Sequence, residues 1–206
     1  ADGLYSLKYP VPPETMVSRT YFDFHPEQFF SFYFDRMIAS DAQPNRAHQK
    51  LAELEQAGKL QCVITQNIDG LHQKAGSKKV HELHGSVLRN YCMDCGQPFN
   101  LDGITRLHEE SHDGIPRCST CGGIVKPDVV LYEEPLDSKV IEQSVAAISS
   151  ADMLIVAGTS LVVYPAAGFL DYFTGDRLVI VNLSPTARDR QASLCINAPV
   201  GEVFDF

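Results

Sequence analysis

The chain has no apolar run approaching the roughly 20 residues of a membrane-spanning helix, and nothing in it reads as a secretory signal peptide. It also has no low-complexity tract and no internal repeat at solenoid periods. Basic residues are the scarcer charge: 17 Lys and Arg stand against 26 Asp and Glu, giving a net charge of −9. A broad nucleic-acid-binding face needs the opposite balance, so direct nucleic-acid binding is not expected. A basic peptide is the better electrostatic match. With 206 residues, 44% of them hydrophobic, the chain can bury one core and carry an insert.

What is present is concentrated. Thr65-Gln66-Asn67-Ile68-Asp69-Gly70-Leu71-His72 follows the apolar run Cys62-Val63-Ile64, and Leu83-His84-Gly85 comes soon after. An amide, a carboxylate and two imidazoles therefore gather where a buried strand would meet solvent. In open α/β sheets, ligands bind beyond the carboxyl ends of the strands. Asp69-Gly70 also reads as an ordinary turn.

Two CxxC pairs follow, Cys92-Met-Asp-Cys95 and Cys118-Ser-Thr-Cys121. Each pair can place two thiolates on one turn, and four thiolates close a tetrahedral zinc site. Gly96, Gly122 and Gly123 follow the pairs, as such turns require. One structural zinc ion is expected, because four cysteines leave no open coordination position. Cys62 and Cys195 are not expected to take part. They sit in or near apolar segments, where a free cysteine behaves as a small hydrophobe. Reduced thiols fit a cytoplasmic chain.

Residues 1–20, with Pro10, Pro12 and Pro13, read as loop. Pro26 suits the first turn of a helix through Phe29, Phe30, Tyr33 and Met37. Asn45 is placed to cap a second helix with Ala47, Leu51 and Leu54 on one face, ended by Gly58. A strand is expected at 61–65 and a short one at Val129-Val130-Leu131. Residues 138–150 carry Ile141, Val145 and Ile148 at a helical period. Met153–Ala157 and Leu178–Val181 are continuous apolar runs, as parallel strands covered on both faces should be.

Three strands therefore end at Thr65, Ala157 and Val181, and each leads into a polar motif: QNID, GTS or NLS. Right-handed crossovers would bring the three ends to one edge of a sheet. There Gly158 permits close backbone approach, Thr159 and Ser160 offer donors, and Asn182 can hold a ribose hydroxyl. The expected fold is α/β: a Rossmann-like doubly wound parallel sheet with a small zinc-binding module and a helical insert. Residues 1–90 form the first part of the Rossmann-like domain with the insert, 91–125 the zinc module, and 126–206 the second part.

The sequence resembles the sirtuin family of NAD-dependent protein-lysine deacylases. The resemblance rests on 65–72, Glu82-Leu-His-Gly85, both CxxC pairs, 126–134, 158–168 and 181–186, with a further match at 44–48. It lacks the family's amino-terminal Gly-rich phosphate loop, and 1–5 resemble the stretch just after that loop and its following segment. A polypeptide truly starting at Ala1 is accordingly expected to bind NAD poorly. Glu133 stands where many relatives have Gly.

The resemblance implies the roles. The acyl oxygen of lysine attacks the ribose carbon bearing nicotinamide, and a general base then activates a ribose hydroxyl. His84 matches the catalytic histidine; its ordinary pKa of about 6.5 suits a base. His81 is the rival, and His48 and His72 have structural readings. Gln66, Asn67, Ile68 and Asp69 match positions around nicotinamide and ribose. Gly158, Thr159, Ser160, Asn182, Leu183 and Ser184 match the rest of the NAD site, and Val200 an adenine contact. Val129 and Val130 would line the tunnel for the acyl-lysine stem, with the peptide adding as a strand along 127–132. The default acyl group is acetyl. Tyr33 and Arg36 match a Tyr-x-x-Arg pattern that receives acidic acyl groups in some relatives, and Arg binds carboxylates bidentately. Both residues also fit an ordinary helix.

Two readings from other classes stand beside this one. A zinc-ribbon interaction module on an inactive α/β scaffold fits the cysteines but leaves QNID and GTS unexplained. An NAD-dependent oxidoreductase would need a G-x-G-x-x-G after a strand, and none is present.

Overall fold

The computed structural model describes residues 11–39 and 41–206. Pro10 and the 1–5 resemblance lie outside the described residues. Eight short strands are found among them: β1 (Val63–Thr65), β2 (Val80–Glu82), β3 (Gly85–Cys92), β4 (Pro98–Asn100), β5 (Val125–Val129), β6 (Leu154–Ala157), β7 (Leu178–Val181) and β8 (Leu194–Ile196). The chain divides into two compact units. One takes the residues up to Ala42, Asn67–Gly70 and His84–Leu136; the other takes Gln43–Gln66, Leu71–Leu83 and Asp137–Phe206.

The first unit is built on an antiparallel sheet in the order β4-β3-β5. Its core joins Phe22, Phe29, Phe30, Tyr33, Val87, Ile104, Val125, Val129 and Leu131. The aromatic helix Pro26–Phe32 starts at its proline and buries Phe29, Phe30 and Phe32. Phe22 and Phe29 meet edge to face at 4.9 Å, a favoured aromatic geometry. From Tyr33 to Met37 the helix widens into a π turn, a feature common at functional sites and not foreseen from the period.

The 11–20 stretch departs from the expected loop. Pro13–Met16 forms one helical turn with proline at its start, where a missing N–H loses nothing. Ser18 then caps the helix Arg19–Phe24, accepting from the Tyr21 N–H. The zinc module also contains an unforeseen helix, Leu101–Glu109, capped by Asn100 accepting from Gly103 N–H. The strand expected at 129–131 instead runs from Val125 and ends at Val129.

The second unit carries the parallel strands. β1 pairs β2, and β6-β7-β8 form a separate ladder, all parallel. Thr65, Ala157 and Val181 each end a parallel strand as expected, but β1 is not hydrogen-bonded to the β6-β7-β8 ladder among the described residues. The helix Arg46–Gln56 has the Asn45 cap, with His48 N–H donating to Asn45 Oδ1 at 3.2 Å. Its carboxyl end reaches Gly58, whose φ of 68° is the left-handed conformation that favours glycine. Asp137 caps Ser138–Ser149 by accepting from Val140 N–H.

Candidate functional site: a histidine turn, a strand-end loop cluster and a four-cysteine centre

β1 and β2 run parallel with Thr65 opposite Glu82, and Leu83 N–H donates to Thr65 O at 2.9 Å. The segments carrying Gln66–Asp69 and His84 therefore leave the paired strands at the same, carboxyl, end. In the first unit the two segments are joined directly. Val87 N–H donates to Ile68 O at 3.0 Å, and Ser86 Oγ, at 3.5 Å, leans on the same carbonyl.

His84 is half-buried at the turn into β3. Val130 N–H donates to its carbonyl at 3.0 Å, and the ladder continues with Gly85 opposite Val129. Gly85 has φ 74°, and a Cβ there would collide with the Asp128 carbonyl. Only glycine lets β3 approach β5 this closely behind His84. The structure thus brings Ile68, His84, Val129 and Val130 together. Asn67 and Asp69 ride on the same short segment, with Asn67 exposed and Asp69 half-buried, while Gln66, half-buried, follows β1 in the second unit.

His81 lies within β2, opposite Ile64, rather than beyond a strand end. His48 belongs to the Asn45 cap, and its ring lies 4.6 Å from that of His72. The expected strand addition along 127–132 meets a difficulty. The N–H groups of Val130, Leu131 and Tyr132 already donate to His84 O, Glu134 Oε2 and Val17 O. A peptide here would have to bind through other backbone groups.

Tyr33 and Arg36 are not brought to a common surface. Tyr33 is 0% exposed within the aromatic core, and burial pushes its phenol well up. Its hydroxyl has no hydrogen-bond partner among the described residues. Arg36 lies at the surface with Nε 2.8 Å from Asp35.

In the second unit, Gly158 N–H donates to Val181 O at 3.0 Å, and Asn182 N–H to Ile196 O at 3.1 Å. These bonds gather the carboxyl ends of β6, β7 and β8. Gly158 has φ 63°, and a Cβ there would touch Val200 at 3.5 Å. Thr159 Oγ1 accepts from Leu161 N–H at 3.3 Å, and Asn182 Nδ2 donates to Ser184 O at 2.8 Å. Ile180, Asn182, Ser184, Asp189, Cys195, Ile196 and Asn197 line a shallow surface depression there. Ser160 is exposed and Leu183 is 70% exposed. Asp189 and Asn197 also line the depression, and neither belongs to a periodic pattern or a spaced motif of the sequence.

The four cysteines form the third part. All four sulfurs of Cys92, Cys95, Cys118 and Cys121 lie within 4.8 Å of one another. Cys92 and Cys121 are 3.4 Å apart and Cys95 and Cys118 3.7 Å. Zn–S bonds of about 2.3 Å in a tetrahedron put neighbouring sulfurs about 3.8 Å apart, whereas a disulfide needs about 2.05 Å. The cluster therefore fits one structural zinc. Charge says the same. Burial works against the Cys118 thiolate, but the Thr120 and Cys121 N–H groups hold its thiol low, whereas at Cys121 the neighbouring sulfurs outweigh the Gly123 N–H and push the thiol up. Four thiolates at this spacing need a cation among them. Cys62 lies outside the cluster, its thiol pushed up by burial, and Cys195 is exposed on β8.

Comparison with known proteins places this combination in one class. The Sir2 family pattern matches residues 1–165. The chain is 56% identical over 206 residues to an NAD-dependent protein deacetylase of Clostridium acetobutylicum, covering 99% of this chain and 82% of that protein. A solved Sir2 structure bound to acetylated peptide matches with TM-score 0.89 at 38% identity, over 98% of this chain and 84% of that one. A second, of Sir2 with a p53 peptide and NAD+, matches with TM-score 0.87 at 38% identity over the same shares. The chain belongs to the Sir2 family.

Proposed function

We propose that the protein removes acetyl groups from protein lysine in an NAD-dependent reaction that releases nicotinamide and forms O-acetyl-ADP-ribose. The observation that carries this reading is the bonding of His84 O to Val130 and of Ile68 O to Val87. It sets the His84 turn, the backbone at Ile68 and two valines in one place within one unit. Family membership at 56% identity to a protein deacetylase supports it. A zinc-ribbon module on an inert scaffold would leave the histidine turn without a purpose.

Bound NAD supplies the electrophilic ribose carbon and a leaving group. The residues of this chain do the rest. Gln66, Asn67, Ile68 and Asp69 line the nicotinamide and its ribose. Gly158, Thr159, Ser160, Asn182, Leu183, Ser184 and Val200 hold the remaining ribose and adenine. Val129 and Val130 flank the apolar stem of the acyl-lysine. His84, as general base, takes the proton from a ribose hydroxyl. Cys92, Cys95, Cys118 and Cys121 hold zinc away from the chemistry, since a four-sulfur site offers no open position. The partner is an acylated-lysine peptide or protein, the site of action cytoplasmic. No described helix is long and apolar enough to cross a membrane.

A second reading concerns the acyl group. The Tyr33 hydroxyl, which has no partner among the described residues, shares a core cluster with Ile68 and Val129. An acidic-acyl site here would need Arg36 to leave Asp35 and the buried Tyr33 hydroxyl to become accessible as well. Incubating the full-length protein with NAD and either acetyl-lysine or succinyl-lysine peptide tests both. Mass spectrometry should show the acetyl peptide losing its acyl group. Faster succinyl removal would favour the second reading, and loss of neither group would overturn both.

A further inference from the structure

Glu134 gathers contacts from three parts of the first unit. Its Oε2 accepts from Leu131 N–H at 2.9 Å and from Lys126 Nζ at 3.1 Å. Its Oε1 accepts from Arg19 Nη1 at 3.1 Å. Lys126 Nζ also donates to Val129 O at 2.9 Å and lies 3.4 Å from Pro127 O. Both side chains are largely shielded, Lys126 at 15% and Glu134 at 17% exposure, so solvent screens the pair only weakly.

The pair closes a loop over the backbone between them. The Val129 carbonyl and the Leu131 N–H are both held on the Lys126–Glu134 side. In an extended chain, successive backbone groups alternate in direction. Val130 must then face the other way, and there it donates to His84 O. Arg19 ties the loop to a further strut: Arg19 N–H donates to Tyr132 O at 2.9 Å, and Tyr132 N–H donates to Val17 O at 3.0 Å. The clasp thus fixes the register of the two valines against the histidine.

We propose that Glu134 is a positioning residue for the acyl-lysine substrate, acting through the Val129–Tyr132 backbone that it and Lys126 hold. The proposal rests on the deacylase reading, in which Val129 and Val130 flank the acyl-lysine. Its neighbour Glu133 has a separate task. With φ 77°, it places Oε2 on Thr20 N–H and Thr20 Oγ1 at 2.9 and 2.7 Å. These bonds tether the same loop without touching the clasp.

Steady-state kinetics of the full-length protein with acetyl-lysine peptide at saturating NAD test this. Glu134→Gln keeps the shape and removes the charge. It should raise the peptide KM about tenfold while kcat and the NAD KM move less than about threefold. Combining it with Lys126→Met removes the unpaired ammonium and should bring the peptide KM back to within about threefold of wild type. A merely structural role would instead lower kcat with the folded fraction and leave the peptide KM in place, and that result overturns the proposal. If Glu134→Gln fails to fold, Arg19→Gln removes the Oε1 contact, together with the exposed Arg19–Asp23 pair, and leaves Leu131 and Lys126 on Oε2. It should raise the peptide KM about threefold, and no rise overturns the proposal. An inert wild type would sink the deacylase reading and this proposal with it. An active wild type with an unmoved variant KM sinks the proposal alone.

Discussion

Val130 donates its N–H to the carbonyl of His84 at 3.0 Å, so a residue proposed to flank the substrate also holds the backbone of the residue proposed as base. The two proposed roles, substrate binding and proton transfer, thereby share one hydrogen bond. His84→Ala should lower deacylation by about 10²–10⁴-fold, the usual effect of losing a general base. His81→Ala should cost far less, since His81 sits inside β2. The pair of rate measurements, with zinc content as a check on folding, decides between the two histidines. A dead His81 variant beside an active His84 variant would reverse the assignment.

Gly85→Ala should be much worse than Gly58→Ala. Both glycines have positive φ, 74° and 68°, so each substitution carries strain of about 1–3 kcal/mol. A Cβ at Gly58 meets nothing within 4 Å, whereas at Gly85 it strikes the Asp128 carbonyl. Thermal unfolding should show a melting temperature lower by about 2–4 °C for each kcal/mol lost, with the larger drop at Gly85. Equal drops would mean that the strands part easily behind His84.

How much of this was legible in sequence depended on whether the signal was local. Asn45, three residues from His48, was readable as a cap because capping is a contact within one turn. The cysteines were readable because two short spacings encode two turns. Pro26 marked its helix for the same reason. Pro12 and Pro13 read as loop, yet Pro13 opens the turn Pro13–Met16 with no side-chain cap to mark it. The Glu134 clasp left no trace. Arg19 and Glu134 are remote along the chain, and no periodicity links them. Nor did the apolar runs reveal that β1 and β6 would lie in separate ladders, since pairing partners are not written in a strand's own pattern.

Metal analysis should give one zinc per chain. Cys95→Ala should abolish it, and neither Cys62→Ala nor Cys195→Ala should change it. A chelator strong enough to strip the metal should unfold the β3–β5 module, since binding energy at structural zinc sites is folding energy. Zinc lost on changing Cys62 would contradict the ligand set.

Acid should weaken the protein partly through Glu134. Burial works against its charged form, but the Leu131 N–H, Lys126 and Arg19 outweigh burial and hold its carboxyl below the usual carboxylate range. A depressed folded-state pKa contributes stability above the unfolded value of about 4.3, and that stability is lost as pH falls through the folded value. Denaturant titrations should therefore show wild type more stable than Glu134→Gln near neutrality, with the gap closing below about pH 4. A gap independent of pH would mean that the charge of Glu134 does not matter.

The central claim is that lysine deacylation is coupled to NAD cleavage. The most direct measurement is the ratio of nicotinamide released to lysine deacetylated by the full-length protein, with and without NAD. The proposed chemistry predicts a ratio of about one and no deacetylation when NAD is withheld. Deacetylation without NAD, or with free acetate and no nicotinamide, would contradict it.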